Sequence, residues 1–423
     1  MTAVLETCTS PVGAGTRLPC ADLRVGLLGL GQVGSAIAEL ALSRPAALGR
    51  TVRITSALVT DPGARNRPPT VPLTTDPTTI FDTRPDVIVE VLGGLEPART
   101  LVLEALRRGI PVVTANKSLL AHHGVELSRA ADAAGVALRY EASVIAGVPF
   151  LETLARRPLA GSLTALTGIV NGTSNYILSR MALGADYASA LGDAQRNGFA
   201  EPDPSKDVGG IDALEKLVIL LRQFTATDVS PDSIEVRGIA GLTRDDLVHA
   251  RELGGAIKPI VSACWSGDTS EACAGPAFVP LTDPLARLEG TTNGIRLIDR
   301  AGSVLFFTGP GAGPAVTAVT VLDDVVEAAR GGFMPAIVGR RAHVRAPATR
   351  WVLRATSRTR LPEGAAIADL LSAYGVWAER TSTAGNATWL LTYSCSRERI
   401  DAAAAALAAA AGCETYLIRA VNE

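Results

Sequence analysis

From Leu23 onward, short apolar runs alternate with glycine-rich turns and with segments whose apolar residues recur at helical spacing. LRVGLL reads as a strand, GLGQVG as a turn and SAIAELAL as a helix. TVRITSALVT is strand-like in its β-branched content, and a Pro-rich loop, DPGARNRPPTVPLTTDP, follows it. Next come a strand (PDVIVEVLGG), a helix (EPARTLVLEALRRG) and a strand that runs into a loop (PVVTANK). This alternation predicts an α/β fold with a doubly wound parallel sheet over residues 22–140.

Near residue 140 the rhythm changes. TALTGIVNGTSNYILSRM reads as a strand, a Gly/Asn-rich turn and a helix. DALEKLVILLRQF and TRDDLVHARELGGAI carry long helical patterns, IRLIDRAGSVLFFTGPGAG is strand-like and VLDDVVEAARGG is helical. We expect residues 141–335 to form an α+β substrate-binding and oligomerisation domain. From residue 345 to 423 the order is strand (WVLRATS), helix (GAAIADLLSAYG), strands (WAERTST, TWLLTYS), helix (RERIDAAAAALAAAAG) and strand (ETYLIRAV). That βαββαβ order predicts a ferredoxin-like module. Residues 1–21, punctuated by Pro and Gly, read as a flexible tail.

A chain of 423 residues, 47% hydrophobic and 19% charged, has material for two or three domains with large cores. A net charge of -2 gives no reason to expect nucleic acid or an anionic membrane as partner. Cys8, Cys20, Cys264, Cys273, Cys395 and Cys413 are scattered without a CxxC pair, and the adjacent His122 and His123 form no metal spacing. The thiols are therefore expected to be free in a reducing cytoplasm. No early positive charge and no apolar core marks the first twenty residues as a signal peptide, and no run of about 18 strongly apolar residues marks a membrane span.

The turn Gly29-Leu30-Gly31-Gln32-Val33-Gly34 follows a strand and opens a helix. In this setting it predicts a Rossmann-type dinucleotide site: the first glycine makes the turn, the second lets backbone approach a pyrophosphate, and the third lets helix and strand pack. The helix N-terminus then faces the phosphates. A glycine turn without a ligand is the alternative. Beyond the second strand, Asp61 suits a ribose 2′-hydroxyl and NAD, whereas Arg65 and Arg67 suit a 2′-phosphate and NADP; both remain open. Asn116 and Lys117 lie where a strand ends at the sheet's C-terminal edge, the edge at which open α/β sheets bind ligands.

The segment Gly198 to Lys216, GFAEPDPSKDVGGIDALEK, gathers Glu201, Asp203, Asp207 and Asp212 ahead of Lys216. Asp212 and Lys216 stand four apart and share a helix face. Carboxylates here can hold an ammonium group, and a positioned Lys can exchange a proton with a hydroxyl or carbonyl. Read alone, the segment is first a solvated acidic loop followed by an ordinary surface ion pair.

Together, GLGQVG, VIVEVLGG, VVTANKSLLA, YEASVIAGVP, GIVNGTSNYIL, GFAEPDPSKDVGGIDALEK and FTGPGAG resemble the homoserine dehydrogenase family in order and spacing, over roughly Leu23 to Gly332. The resemblance implies interconversion of L-homoserine and L-aspartate 4-semialdehyde with NAD or NADP. It implies Lys216 as general acid and base, Asp212 as its orienting partner, and Lys117 near the reacting oxygen and the nicotinamide. Glu201 and Asp207 would hold the substrate, with Gly172 and Thr173 lining its pocket. Gly93, Gly94 and Gly313 would close backbone over the cofactor. Glu141 and the carbonyls of Val144, Ala146 and Val148 would bind a monovalent cation, usually sodium; a tight turn is the alternative there. Members form dimers or tetramers, so a homo-oligomer is expected.

Three departures stand out. Thr60 replaces an Arg carried by many members, which leaves NADP preference open. The C-terminal module resembles an ACT domain in which Arg360-Leu361-Pro362-Glu363-Gly364 stands where an Asp-x-Pro-Gly turn is usual, which leaves threonine feedback open. Glu215 stands beside Lys216 where other residues are common, and on a helix it points about 100° away from it. Two further readings stay available: a relative acting on a modified aspartate semialdehyde or amino-acid alcohol, and a non-catalytic nucleotide and amino-acid sensor.

Overall fold

The computed structural model describes residues 22–43, 51–63, 71–157, 162–267, 269–331, 340–341, 343–345, 348–358 and 361–421. The tail 1–21 and Cys8, Cys20, Arg65, Arg67 and Arg360 lie outside the described residues.

The first part is β1 (Leu23–Leu28), α1 (Gln32–Ser43), β2 (Val52–Leu58), β3 (Leu73–Thr74), α2 (Pro77–Asp82), β4 (Val87–Glu90), α3 (Ala98–Arg107), β5 (Val112–Thr114), α4 (Lys117–Ala134) and β6 (Leu138–Arg139). All strands pair in parallel in the order β3-β2-β1-β4-β5-β6. Strand order reverses between β1 and β4, which opens the ligand crevice there. β4 reads VIVE and is buried throughout, as a strand covered on both faces must be. α4 begins on the Asn116 side chain, which accepts from the Leu119 amide, and ends on Gly135 in the left-handed region.

The second part is α5 (Leu151–Ala155), β7 (Leu163–Ile169), α6 (Gly172–Ala182), α7 (Tyr187–Arg196), α8 (Ser205–Val208), α9 (Ile211–Thr225), β8 (Thr227–Asp228), β9 (Glu235–Val236), α10 (Arg244–Glu252), β10 (Gly255–Ser266), β11 (Thr269–Pro280), β12 (Thr292–Asp299), β13 (Val304–Pro310) and α11 (Pro314–Ala329). β14 (Arg340–Arg341) and β15 (His343–Arg345) lead to β16 (Trp351–Thr356), α12 (Gly364–Ser372), β17 (Ala378–Ala384), β18 (Ala387–Thr392), α13 (Arg397–Ala411) and β19 (Glu414–Ala420). A mixed sheet runs β13-β12-β7-β10-β11-β19-β16-β18-β17. The last six elements keep the expected βαββαβ order, and their sheet joins the preceding one through the parallel pair β11–β19.

Two features differ from the sequence pattern. The helical run at 243–257 stops at Glu252, and Gly255 already opens a 12-residue strand. β10 and β11 pair from Gly255↔Pro280 to Ser266↔Thr269, with Pro259 opposite Pro276. This hairpin sets Ile257, Ile260, Val261, Phe278 and Val279 among Ala, Gly, Ser and Pro, and those small residues and prolines weaken its strand signal. Secondly, α11 packs through Val321, Leu322 and Val325 on α1 and on the parallel sheet, far from it in sequence. The opposite face of that sheet is covered by α2, α3 and α4, and α9 packs on the outer side of α4. α9 is buried from Asp212 to Arg222 and so lies between the two sheets.

Candidate active site

At the C-terminal ends of β1, β4 and β5 lies a cleft of about 510 Å³. The glycine turn reaches the cleft through Val33, while Gly29, Gly31, Gln32 and Gly34 are not among its lining residues, and the three glycines meet different surroundings. A Cβ on Gly29, whose φ is +104°, would lie 2.9 Å from the Val91 carbonyl oxygen, and one on Gly34 would lie 2.3 Å from that of Gly29. A Cβ on Gly31 would meet nothing within 4 Å. The first and third glycines are thus required by packing, and the second leaves room for a ligand, as the fingerprint demands. Gln32 opens α1, and Val33 lines the cleft with Gly93, Gly94 and Asn116.

Beneath the cleft lies a buried carboxyl that the sequence analysis did not single out. Glu90, at the end of β4, accepts from the Leu92 amide at 2.8 Å, from the Thr114 hydroxyl at 2.6 Å and from the Asn116 amide at 3.3 Å. Asn116 also donates to the Gly94 carbonyl at 2.8 Å. Burial pushes the Glu90 carboxyl above its ordinary value, and these hydrogen bonds oppose the shift. An acid ending an otherwise apolar strand was the available signal.

The two lysines converge on one carboxylate. Lys216 donates to Asp212 Oδ2 at 2.8 Å and to the Val170 carbonyl at 2.7 Å. Lys117 Nζ lies 3.1 Å from Asp212 Oδ1. Burial pushes the Asp212 carboxyl up, but Lys216 first and then Lys117 more than reverse this and hold it well below the usual carboxylate range. Burial pushes Lys117 down, and Asp212 foremost, with Glu215 and Asp207, raises it above its ordinary value. Asn171, which caps α6, bridges the acids: its side-chain amide donates to Asp207 Oδ1 at 2.7 Å and to Asp212 Oδ2 at 2.8 Å. An Asn before a helix is a capping signal and gave no hint of this second task. Burial raises the Asp207 carboxyl.

Lys117, Lys216, Asp212, Asn116 and Glu201 all line the cleft, joined by Lys206 and Ser118. Asp207 is tied to it through Asn171. Gly172 and Thr173 are not among its lining residues: a Cβ on Gly172 would lie 2.8 Å from the Thr291 carbonyl oxygen, and Thr173 donates to the Phe199 carbonyl at 2.5 Å. Gly311 and Ala312 line the cleft, whereas Gly313 caps α11 just beyond. Glu215 is buried and turned toward α4, where Ser118 donates to it.

The segment Glu141 to Val148 forms the far wall, where Ile145 holds a φ of +50°. The Glu141 carboxylate accepts from the amides of Phe150, Leu151 and Glu152 at 2.8, 3.0 and 2.7 Å, which starts α5. The Ala146 carbonyl accepts from Thr320 at 2.5 Å. Val144 and Val148 are buried beside it. Asp323 and Asp324 of α11 line a neighbouring cavity of about 440 Å³ with Glu141 and Ala146. Burial drives the Asp324 carboxyl well above its ordinary value and raises that of Glu141.

A family model described as homoserine dehydrogenase, NAD binding domain, matches residues 29–141, and one described as homoserine dehydrogenase matches residues 149–326. A homoserine dehydrogenase of Synechocystis is 39% identical over 320 residues, 72% of this chain and 72% of that one. The chain belongs to the homoserine dehydrogenase family. The homoserine dehydrogenase of Mycobacterium bovis is 41% identical over 323 residues, again 72% of both chains. The crystal structure of a homoserine dehydrogenase from Thiobacillus denitrificans superposes with a TM-score of 0.88 at 32% identity, over 95% of this chain and 98% of that one. An archaeal homoserine dehydrogenase in complex with NADPH shares the fold at 22% identity, with a TM-score of 0.61 over 75% of this chain and 99% of that one. This member of the homoserine dehydrogenase family is accordingly an oxidoreductase, and its parallel sheet is the domain that binds a nicotinamide dinucleotide. No helix among the described residues is long and apolar enough to cross a membrane.

Proposed function

We propose that the cleft catalyses the reversible reduction of L-aspartate 4-semialdehyde to L-homoserine with Lys216 as the proton donor and acceptor. The observation that carries this reading is the convergence of Lys216 and Lys117 on the buried Asp212 carboxylate, at the crevice where the glycine turn leaves space. A bound nicotinamide supplies or accepts the hydride. Lys216 gives its proton to the developing alkoxide in reduction and takes it from the hydroxyl in oxidation. Asp212 fixes its direction, and Lys117 offers a second positive charge to the reacting oxygen. Asp207 and Glu201 supply the negative charge for the substrate's ammonium group. Because an ordinary Lys is protonated at neutral pH, oxidation is favoured by alkaline pH.

A sodium ion would find hard oxygen donors in the carbonyls of Val144, Ala146 and Val148, with the carboxyl oxygens of Asp323 and Asp324 in the neighbouring cavity. Glu141, whose carboxylate is engaged by three amides, would shape that segment. Its role would be to stiffen the cleft wall. A homo-oligomer is supported by the face of β7, β10, β11 and β12 turned away from α9, where a cavity of about 260 Å³ opens among Ile260, Ser262 and Ala277. The C-terminal module, with its strands in the order fourth, first, third, second, supports an ACT-like reading. The described cysteines, Cys264, Cys273, Cys395 and Cys413, are free, which supports a cytoplasmic setting.

The test is the absorbance of reduced nicotinamide when purified protein meets L-homoserine with NAD⁺ or NADP⁺ at alkaline pH, with and without sodium. Turnover with one cofactor separates a ribose site built on Asp61 from one built on Arg65 and Arg67. Nucleotide binding without turnover of homoserine would overturn the reading.

A further inference from the structure

Glu215 occupies an unusual place. It stands on α9 between Asp212 and Lys216, is 2% exposed, and has both carboxylate oxygens 2.8 Å from the hydroxyl of Ser118. One hydroxyl carries one proton, so the bond is shared between the two oxygens. Ser118 follows Lys117 in the first turn of α4, an 18-residue helix whose N-terminal amides favour a negative group. Seven residues after Glu215, Arg222 donates to the Leu120 carbonyl at 2.7 Å, a second tie between the same two helices. The start of α4 is therefore held from α9 at two points, and Lys117 is the residue that this start presents to the cleft.

We propose that Glu215 is a positioning residue for the reaction: anchored on Ser118, its carboxylate fixes the first turn of α4 and keeps the Lys117 ammonium charged and aimed at Asp212. This rests on the site reading above. Lys117 faces Asp212, Glu215 and Lys216 from α9 and Asp207 from α8, and shares the cleft with Glu201 and Lys206. Asp212 is divided between two ammonium groups. Glu215 adds a carboxylate acting on Lys117, bonded to Ser118, and it does so from a buried position where charge is weakly screened. The bond to Ser118 holds that charge beside Lys117.

The test is the pH dependence of kcat/KM for homoserine in Glu215→Gln and Ser118→Ala, with cofactor affinity measured by fluorescence titration. In Glu215→Gln the alkaline limb moves to lower pH and kcat/KM falls about tenfold, a change worth one pKa unit, while cofactor affinity stays. In Ser118→Ala, which frees the carboxylate without removing it, the limb moves the same way by less and kcat falls. A Glu215→Gln profile that superposes on the wild type overturns the inference. If Glu215→Gln does not fold, an unchanged kcat in Ser118→Ala overturns it. Lys117→Ala serves as the separate check on the site itself: wild-type turnover there would sink the site reading, whatever Glu215 does.

Discussion

The Nζ atom of Lys216 lies 2.8 Å from Oδ2 of Asp212, one helical turn earlier, and both side chains are about nine-tenths buried. A lysine held this way has one direction for its proton, toward the cleft it lines. Lys216→Met keeps the aliphatic stem and removes the proton. Because Asp212 retains Lys117 and Asn171 as partners, the variant is expected to fold and to bind cofactor normally. Its kcat should fall about 10²- to 10⁴-fold, the usual contribution of a positioned acid or base. Steady-state rates beside a cofactor titration check this; a kcat near that of the wild type would remove Lys216 from the chemistry.

The same pairing gives an acid limit to stability. The Asp212 carboxyl is held below its ordinary value, so its contribution is present above the unfolded value of about 3.9 and is lost as pH falls through and below it. The wild type should lose melting temperature steeply below about pH 4, and Asp212→Asn, which has no such proton to take up, should lose less over the same range. Thermal melts across an acid pH series decide it: parallel curves for the two proteins would refute the linkage.

The parts of the site legible in the sequence are those with short-range geometry. Asp212 and Lys216 lie four apart, so a helix must bring them together, and Gly29, Gly31 and Gly34 follow an apolar strand. The order β1, α1, β2, β4, α3, β5 and that of the last six elements was likewise written in periodicity, whereas β3, α2, α4 and β6 were not read, and Lys117, expected in a loop, opens α4. What could not be read depends on contacts between distant segments. Asn171 bridges acids 36 and 41 positions away. Glu90 gathers Thr114 and Asn116 across neighbouring strands. The turn of Glu215 away from Lys216 was expected, but that it leads to Ser118, 97 positions back, depends on where α4 packs. The β10–β11 hairpin escaped for another reason: prolines, glycines and alanines interrupt its branched residues, such as Ile257, Ile260 and Val261, and break the alternation that announces a strand.

Gly31 and Gly34 should separate binding from folding. Alanine at 31 meets open space, so Gly31→Ala should keep its stability within about 0.5 kcal/mol while its methyl group obstructs the pyrophosphate and raises the cofactor KM at least about tenfold. Alanine at 34 would drive a Cβ to 2.3 Å from the Gly29 carbonyl oxygen, and the strand and helix must part to admit it. Gly34→Ala should cost about 1–3 kcal/mol, the range for overpacking. Chemical denaturation and cofactor kinetics on both variants test the pair, and a Gly34→Ala protein as stable as the wild type would contradict the packing role.

Lys258 offers a prediction remote from the chemistry. Its side chain is 6% exposed on β10 and donates to the Leu288 carbonyl at 2.6 Å. Burial foremost, with Arg251 nearby and Glu289 in partial opposition, lowers its value to about 8. The unfolded chain holds this proton up to about pH 10.4, so the folded protein binds less proton between pH 8 and that limit. The cost of burying the ammonium is therefore fully present below pH 8 and is relieved as pH rises toward the unfolded value. Lys258→Met fills the same space without charge, and the Leu288 carbonyl keeps the Asn175 amide as a donor at 3.3 Å. The variant should be about 1–3 kcal/mol more stable at neutral pH, and its advantage should shrink between about pH 8 and 10. Denaturant titrations at neutral and alkaline pH measure both quantities; a variant destabilised at neutral pH would mean that the bond to Leu288 outweighs the buried charge.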